Sequence, residues 1–152
     1  MELFAKYLRE GRIKIDPEKR IKERVTYQDP CNLSRNGDLA EYGRELISYL
    51  ADDFVEMQPN REHNHCCGGG GGFIPMGPPF KRRRMESGKV KAEQIRATGA
   101  TLVISPCHNC FDQIRDLSKE YELGVKVKQF KELITETMII PEEFQPKEEA
   151  DE

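Results

Sequence analysis

Apolar positions along the chain change their period repeatedly, and each change marks an element. Leu3, Phe4, Tyr7 and Leu8 share one face of a short helix over 1–11. The basic stretch 12–24 has no period and reads as loop. Val25-Thr26-Tyr27 is β-prone and runs into Asp29-Pro30-Cys31. Between 36 and 50 the apolar residues fall at 39, 42, 46, 47 and 50, a helical spacing, with Asn36 or Asp38 as its candidate cap. Residues 53–57 (DFVEM) predict a short strand. Residues 58–80 are too rich in glycine and proline for a helix or a central strand. A second long helix is expected over 81–98, with Met85, Gly88, Ala92 and Ile95 on one stripe and Gly99 as its stop. The apolar run 100–105 (ATLVIS) predicts a strand buried on both faces. Phe111, Ile114, Leu117 and Tyr121 mark a third helix, Val125-Lys126-Val127 a strand, and Phe130, Leu133, Ile134, Thr137 and Met138 a last helix.

Strands alternate with helices after the first helix, so the pattern predicts an α/β fold: a small parallel, Rossmann-like sheet with helices on both faces. Residues 1–140 are expected to form one domain, followed by an acidic tail over 141–152 expected to be disordered. The length, 152 residues, agrees with one domain.

Composition narrows the function classes. The chain is 37% apolar and 34% charged, with a formal net charge of −3, which argues against a nucleic-acid partner. No apolar run approaches the roughly 18 residues of a membrane helix. The opening residues MELFAKYLREGRIKID lack the apolar core of a signal peptide, so a reducing cytoplasm is the expected compartment.

Five cysteines in such a compartment do not suggest a disulfide framework. They stand at Cys31, Cys66, Cys67, Cys107 and Cys110, just after the first, second and third expected strands. Parallel sheets gather functional groups beyond the carboxyl ends of their strands. If the three strands are parallel neighbours, all five thiols meet at one edge as cysteine-rich loops. Cys107 and Cys110 also open a helix, whose positive end lowers thiol pKa values. Gly68 to Gly72 follows Cys66-Cys67 directly, and glycine there allows close backbone approach and N–H groups aimed at sulfur.

Several occupants fit these residues. A zinc site takes four ligands, with His63, His65 or His108 available beside the thiols, but leaves a thiol over. A zinc nucleobase deaminase matches only its second half, at Pro106-Cys107-His108-Asn109-Cys110, because His63-Asn64-His65 lacks the glutamate two residues on. A thioredoxin-like dithiol would use Cys107 and Cys110 and ignore the rest. An iron–sulfur cluster accommodates four or five thiolates, although the close triple-cysteine spacing of an ordinary ferredoxin is absent.

Cys31, then Cys66-Cys67-Gly68, then Cys107-His108-Asn109-Cys110 resembles the cysteine-rich CCG domain found in the heterodisulfide reductases and their relatives. Tyr27-Gln28-Asp29-Pro30-Cys31 is similar to that family's Tyr-His-Asp-Pro-Cys, with Gln28 in the histidine position, and Ser105-Pro106-Cys107 agrees as well. Asp29-Pro30-Cys31-Asn32-Leu33-Ser34-Arg35 and the glycine run are most similar to one branch, the heterodisulfide-reductase-like iron–sulfur subunits of respiratory membrane complexes. That branch includes the K subunit of the sulfite-reductase-associated Dsr complex. The resemblance implies a non-cubane [4Fe-4S] cluster on Cys31, Cys66, Cys67, Cys107 and Cys110, in an oxidoreductase that makes or cleaves a disulfide, heterodisulfide or trisulfide of a thiol carrier.

The implied partners are a ferredoxin-like cluster domain or subunit supplying electrons, membrane quinone-reactive subunits, and a small thiol carrier protein or thiol substrate. The implied location is peripheral, on the cytoplasmic face of a membrane. Relatives carry two CCG motifs, or one preceded by a ferredoxin-like domain; neither is present, so the chain reads as the C-terminal part of a longer protein, inactive alone. The rivals are a structural zinc-binding assembly domain and a cluster subunit that only transfers electrons. Gly68, Gly69, His65 and His108 are candidate outer donors to the sulfurs. Lys81-Arg82-Arg83-Arg84, basic at a helix start, is a candidate docking patch.

Overall fold

A computed structural model describes residues 1–144. Helix α1 (Glu2–Arg9) leads into β1 (Val25–Tyr27), α2 (Ala40–Leu50), β2 (Phe54–Val55), α3 (Pro78–Thr98), β3 (Leu102–Ile104), α4 (His108–Glu120), β4 (Lys126–Lys128) and α5 (Phe130–Thr137). The four strands form one parallel sheet in the order β2-β1-β3-β4. Val25 pairs with both Phe54 and Leu102, so β1 and β3 are central. The three strands that precede cysteines are therefore parallel neighbours, as the convergence of the thiols requires.

Each central strand is buried on both faces, and the pleat sends alternate residues to separate cores. Val25, Tyr27, Leu102 and Ile104 pack with Ala5 and Leu8 of α1, Leu46, Ile47 and Leu50 of α2, and Phe130, Leu133 and Ile134 of α5. Val103 points the other way, into Ile95 of α3 and Ile114 of α4, together with Met57, Cys67 and Cys110. The second core contains cysteines and the first contains none.

The stripe Met85, Gly88, Ala92 and Ile95 is buried as its spacing predicts, and Gly99 ends α3 in the left-handed conformation. Several boundaries differ from the sequence reading: strand β4 is shifted by one residue, to Lys126–Lys128, β2 and β3 are shorter than the runs that predicted them, α1 ends at Arg9, and the starts of two helices move. Neither Asn36 nor Asp38 caps α2. Residues Asn32–Asn36 make a wide π-type turn, Asn36 bonds back to Asn32, and the helix begins afresh at Ala40. Helix α3 starts three residues early, at Pro78, because prolines fit a first helical turn whose N–H groups have no partner. Glu142–Phe144 forms a single 3₁₀ turn, and the rest of the acidic tail, 145–152, for which disorder was expected, lies outside the described residues. Among the described residues, no helix is long and apolar enough to cross a membrane.

Gly43 lets α2 lie directly on the ring of Tyr27. A Cβ at position 43 would stand 2.4 Å from a ring carbon and 2.6 Å from the hydroxyl. Gly43→Ala is therefore expected to lower stability by about 1–3 kcal/mol in urea unfolding, because overpacking outweighs the better helix propensity of alanine.

Candidate metal centre

Each cysteine reaches the sheet edge through a different kind of segment. Strand β1 ends at Tyr27, and Gln28 continues the ladder by donating its N–H to the Ile104 carbonyl. The chain then turns at Asp29-Pro30, and Cys31 opens the π-type turn. Cys107 is the N-cap of α4 and Cys110 lies in its first turn. Cys66 and Cys67 arrive on the long segment between β2 and α3. All five thiols line one cavity of about 770 Å³, with Pro30, Leu33, Phe73 and Pro106 as apolar walls and Asn32, Ser87 and Asn109 as polar ones. No acidic or basic side chain is among the lining residues.

Cys67 and Cys110 are buried, Cys31 and Cys107 half-buried, and Cys66 exposed. The sulfurs of Cys67 and Cys110 lie 3.3 Å apart. Among the described residues, no three Cys, His, Asp or Glu side chains are drawn around one point as a lone ion would require. The thiols ring a shared space instead. All five are free thiols.

Their protons are unequally shared. Hydrogen bonds from the thiols of Cys110 and Cys66, then the Gly69 N–H and the charge of Lys91, bring Cys67 down to about 3 against the opposing effect of burial. Cys107 is lowered to about 6, first by the Cys110 thiol and then by the N–H groups of Cys110 and Asn109 at the helix start. Cys110, which was expected to be lowered with it, is raised because its proton is held between Cys107 and Cys67. Cys66 is raised by its bond to Cys67 and by burial.

The first two glycines after Cys67 are dictated by space. The N–H of Gly68 faces the Cys66 sulfur at 3.4 Å, and that of Gly69 faces the Cys67 sulfur at 3.5 Å. Gly68 has φ +84°, a backbone that side chains rarely adopt. A Cβ on Gly69 would lie 2.6 Å from Gln113 Cβ and 2.9 Å from the Asn109 carbonyl, so α4 leaves no room for one. Gly70 has open space around it. His65 is exposed, and His108 stacks on Phe111 with Nε2 3.3 Å from Asp112; neither is among the cavity-lining residues.

Sequence reading missed the groups that hold these loops. Asp29, 1% exposed at its side chain, accepts two hydrogen bonds from Arg44 at 3.0 and 2.9 Å, one from the Arg61 N–H at 2.7 Å and one from Ser34. Arg44 also binds Glu56. Arg35 donates to the carbonyls of Glu62 and Asn64, just ahead of Cys66. One carboxylate and two guanidinium groups thus tie the Cys31 turn to the segment that delivers Cys66. Arg84, counted with the docking patch, is buried against Gln113 and Asp116 and braces α3 on α4. Lys81, Arg82 and Arg83 remain at the surface. Gln28 is fully buried, with its amide nitrogen on the Asp29 carbonyl and Oε1 without a partner. Lys91 is also buried, and burial brings its ammonium down to about 8 against the opposing pull of Cys67, Cys110, Asp29 and Cys31.

The protein is thus a parallel α/β domain whose sheet serves as a platform for loops that bring five thiols around one cavity at its carboxyl edge. The chain is a member of the CCG cysteine-rich domain family, whose pattern matches residues 25–115. It is similar to the D subunit of the dihydromethanophenazine:CoB–CoM heterodisulfide reductase of Methanosarcina barkeri, 32% identical over 126 residues, covering 82% of this chain and 30% of the relative. It is 36% identical over 124 residues to the B subunit of the fumarate reductase (CoM/CoB) of Methanothermobacter marburgensis, covering 80% and 24%. It is 28% identical over 111 residues to the Hdr-like menaquinol oxidoreductase iron-sulfur subunit of Archaeoglobus profundus, covering 70% and 20%. The chain therefore spans less than a third of the length of these relatives. No solved structure gives a significant match.

Two substitutions check the loop architecture. Arg44→Met leaves the Asp29 carboxylate buried without its main partner and is expected to destabilise by about 3–5 kcal/mol in urea unfolding. Gly69→Ala is expected to cost about 1–3 kcal/mol, whereas Gly70→Ala, in open space, stays within about 0.5 kcal/mol of the parent.

Proposed function

We propose that Cys31, Cys66, Cys67, Cys107 and Cys110 hold a non-cubane [4Fe-4S] cluster and that the domain makes or breaks a disulfide-type bond of a thiol carrier. The observation that carries this reading is the meeting of five thiols, from three strand ends, on one cavity of about 770 Å³. The donor set fits a cluster: it exceeds the four ligands of a structural zinc, and soft thiolates are the ligands iron–sulfur centres take. The Gly68 and Gly69 N–H groups supply the hydrogen bonds to sulfur that such centres use to moderate their charge. When bound, the cluster supplies one-electron transfer and an iron face for sulfur.

The chain's own residues shape what approaches it. Leu33, Phe73, Pro30 and Pro106 give the cavity apolar walls that exclude water, and exposed Cys66 marks a side open to solvent. Uncharged walls suit a neutral thiol arm. The relatives support the same chemistry: one is named for a heterodisulfide, another for menaquinol and an iron-sulfur subunit. In this reading electrons come from a ferredoxin-like cluster domain or subunit, quinone-reactive membrane subunits complete the path, and the domain sits peripherally on the cytoplasmic face.

Protein purified without oxygen is expected to contain about four iron and about four acid-labile sulfide per chain. About one zinc and no sulfide would make it a structural zinc domain and overturn the proposal. An added thiol is expected to change the EPR signal of the centre. A signal indifferent to thiols would reduce the domain to electron transfer.

A further inference from the structure

Helix α3 carries one side chain that the thiol site leaves unexplained. Lys91 is 1% exposed, although it belongs to a helix whose other lysines, Lys81 and Lys89, lie at the surface. Burying an ammonium is strongly unfavourable unless an anion compensates for the lost water. Among the described residues, the one hydrogen bond of Lys91 goes to the Met57 sulfur, at 3.7 Å, and no carboxylate pairs with it. Met57 shares its core with Cys67 and Cys110.

The acidic groups whose fields reach Lys91 are Cys67, Cys110, Asp29 and Cys31. Asp29 is already committed to Arg44 through both carboxylate oxygens. Three sulfurs remain. Cys67, held low partly by Lys91 itself, supplies some of the needed negative charge in the cysteine cage alone, whereas a bound centre brings thiolate charge at every ligand. The burial of Lys91 is thus only partly compensated by the cage and more fully once an anionic centre fills it.

We propose that Lys91 is the fixed counter-charge of the thiolate centre, and that its buried ammonium favours the reduced, more negative state of the bound cluster. This rests on the cluster reading and deepens it. Lys91 touches neither substrate nor, as placed, any sulfur of the cage. It acts through the field at Cys67, Cys110 and Cys31, and is a positioning residue for charge.

The test compares the full chain, purified without oxygen, with its Lys91→Met variant in an EPR-monitored redox titration, with Lys89→Met as the control from the exposed side of the helix. Lys91→Met is expected to move the midpoint to a more negative potential, so that the reduced-to-oxidised ratio at a fixed potential falls about tenfold. Lys89→Met is expected to leave it unchanged. A loaded Lys91→Met protein with the parental midpoint would overturn the proposal.

A second measurement separates counter-charge from scaffold. In the metal-free chain, Lys91→Met is expected to unfold at equal or higher urea, since a buried ammonium without a carboxylate partner has been removed. A metal-free variant at least as stable as the parent that retains less iron also supports the proposal. A less stable metal-free variant would make Lys91 a structural residue and overturn it. Parent protein without iron and sulfide would sink the cluster reading itself, a different failure from a cluster indifferent to position 91.

Discussion

The carboxylate of Asp29 joins three parts of the molecule at one buried point. It stands where β1 gives way to the first cysteine turn, and it is grasped by Arg44 from α2 and by the Arg61 N–H from the segment after β2. Two-residue β2 is too short to aim a long irregular connection by itself. The buried ion pair does that, with Arg35 holding the same connection nearer Cys66. A buried pair of this kind adds little net stability over an apolar replacement, but losing one partner is severe. Its value here is positional: it fixes which loop lies beside which.

Charge at this edge is balanced in two separate sets. Arg44 answers Asp29 and Glu56, and Arg61 also lies 3.7 Å from Glu56, so the scaffold carboxylates find their cations within the scaffold. The thiols are answered by backbone N–H groups of Gly68, Gly69, Asn109 and Cys110, and at longer range by Lys91. Backbone donors and a buried cation carry no acceptor that could compete for a metal, so the cage offers sulfur almost alone.

Much of this was readable in the chain. Val25–Tyr27 emerged at its observed bounds, and the alternation of strands with helices implied a parallel sheet whose carboxyl edge had to collect the thiols. The stripe on α3 was legible because apolar spacing reports burial directly. What escaped was burial of polar groups. Lys91, Arg84 and Arg44 look like ordinary helical surface residues in sequence, since nothing local distinguishes a charge that meets a partner across the fold from one that meets water. The α2 start failed because a wide turn over Asn32–Asn36, in which Asn36 Nδ2 donates to Asn32 Oδ1, takes up those residues and the helix begins only at Ala40. Within the glycine run, sequence could not separate Gly69, which α4 forbids to carry a side chain, from Gly70, which has free space.

The division of the interior into two cores has a consequence for how the domain is assembled in a cell. The core under α1, α2 and α5 contains no sulfur ligand candidate, so its closure needs nothing but the chain. The core under α3 and α4 counts Cys67 and Cys110 among its own buried residues, so part of its packing is the thiol cage. On the proposed reading, filling the cage bears on that face of the sheet alone, and the face under α1, α2 and α5 can fold before the centre is in place.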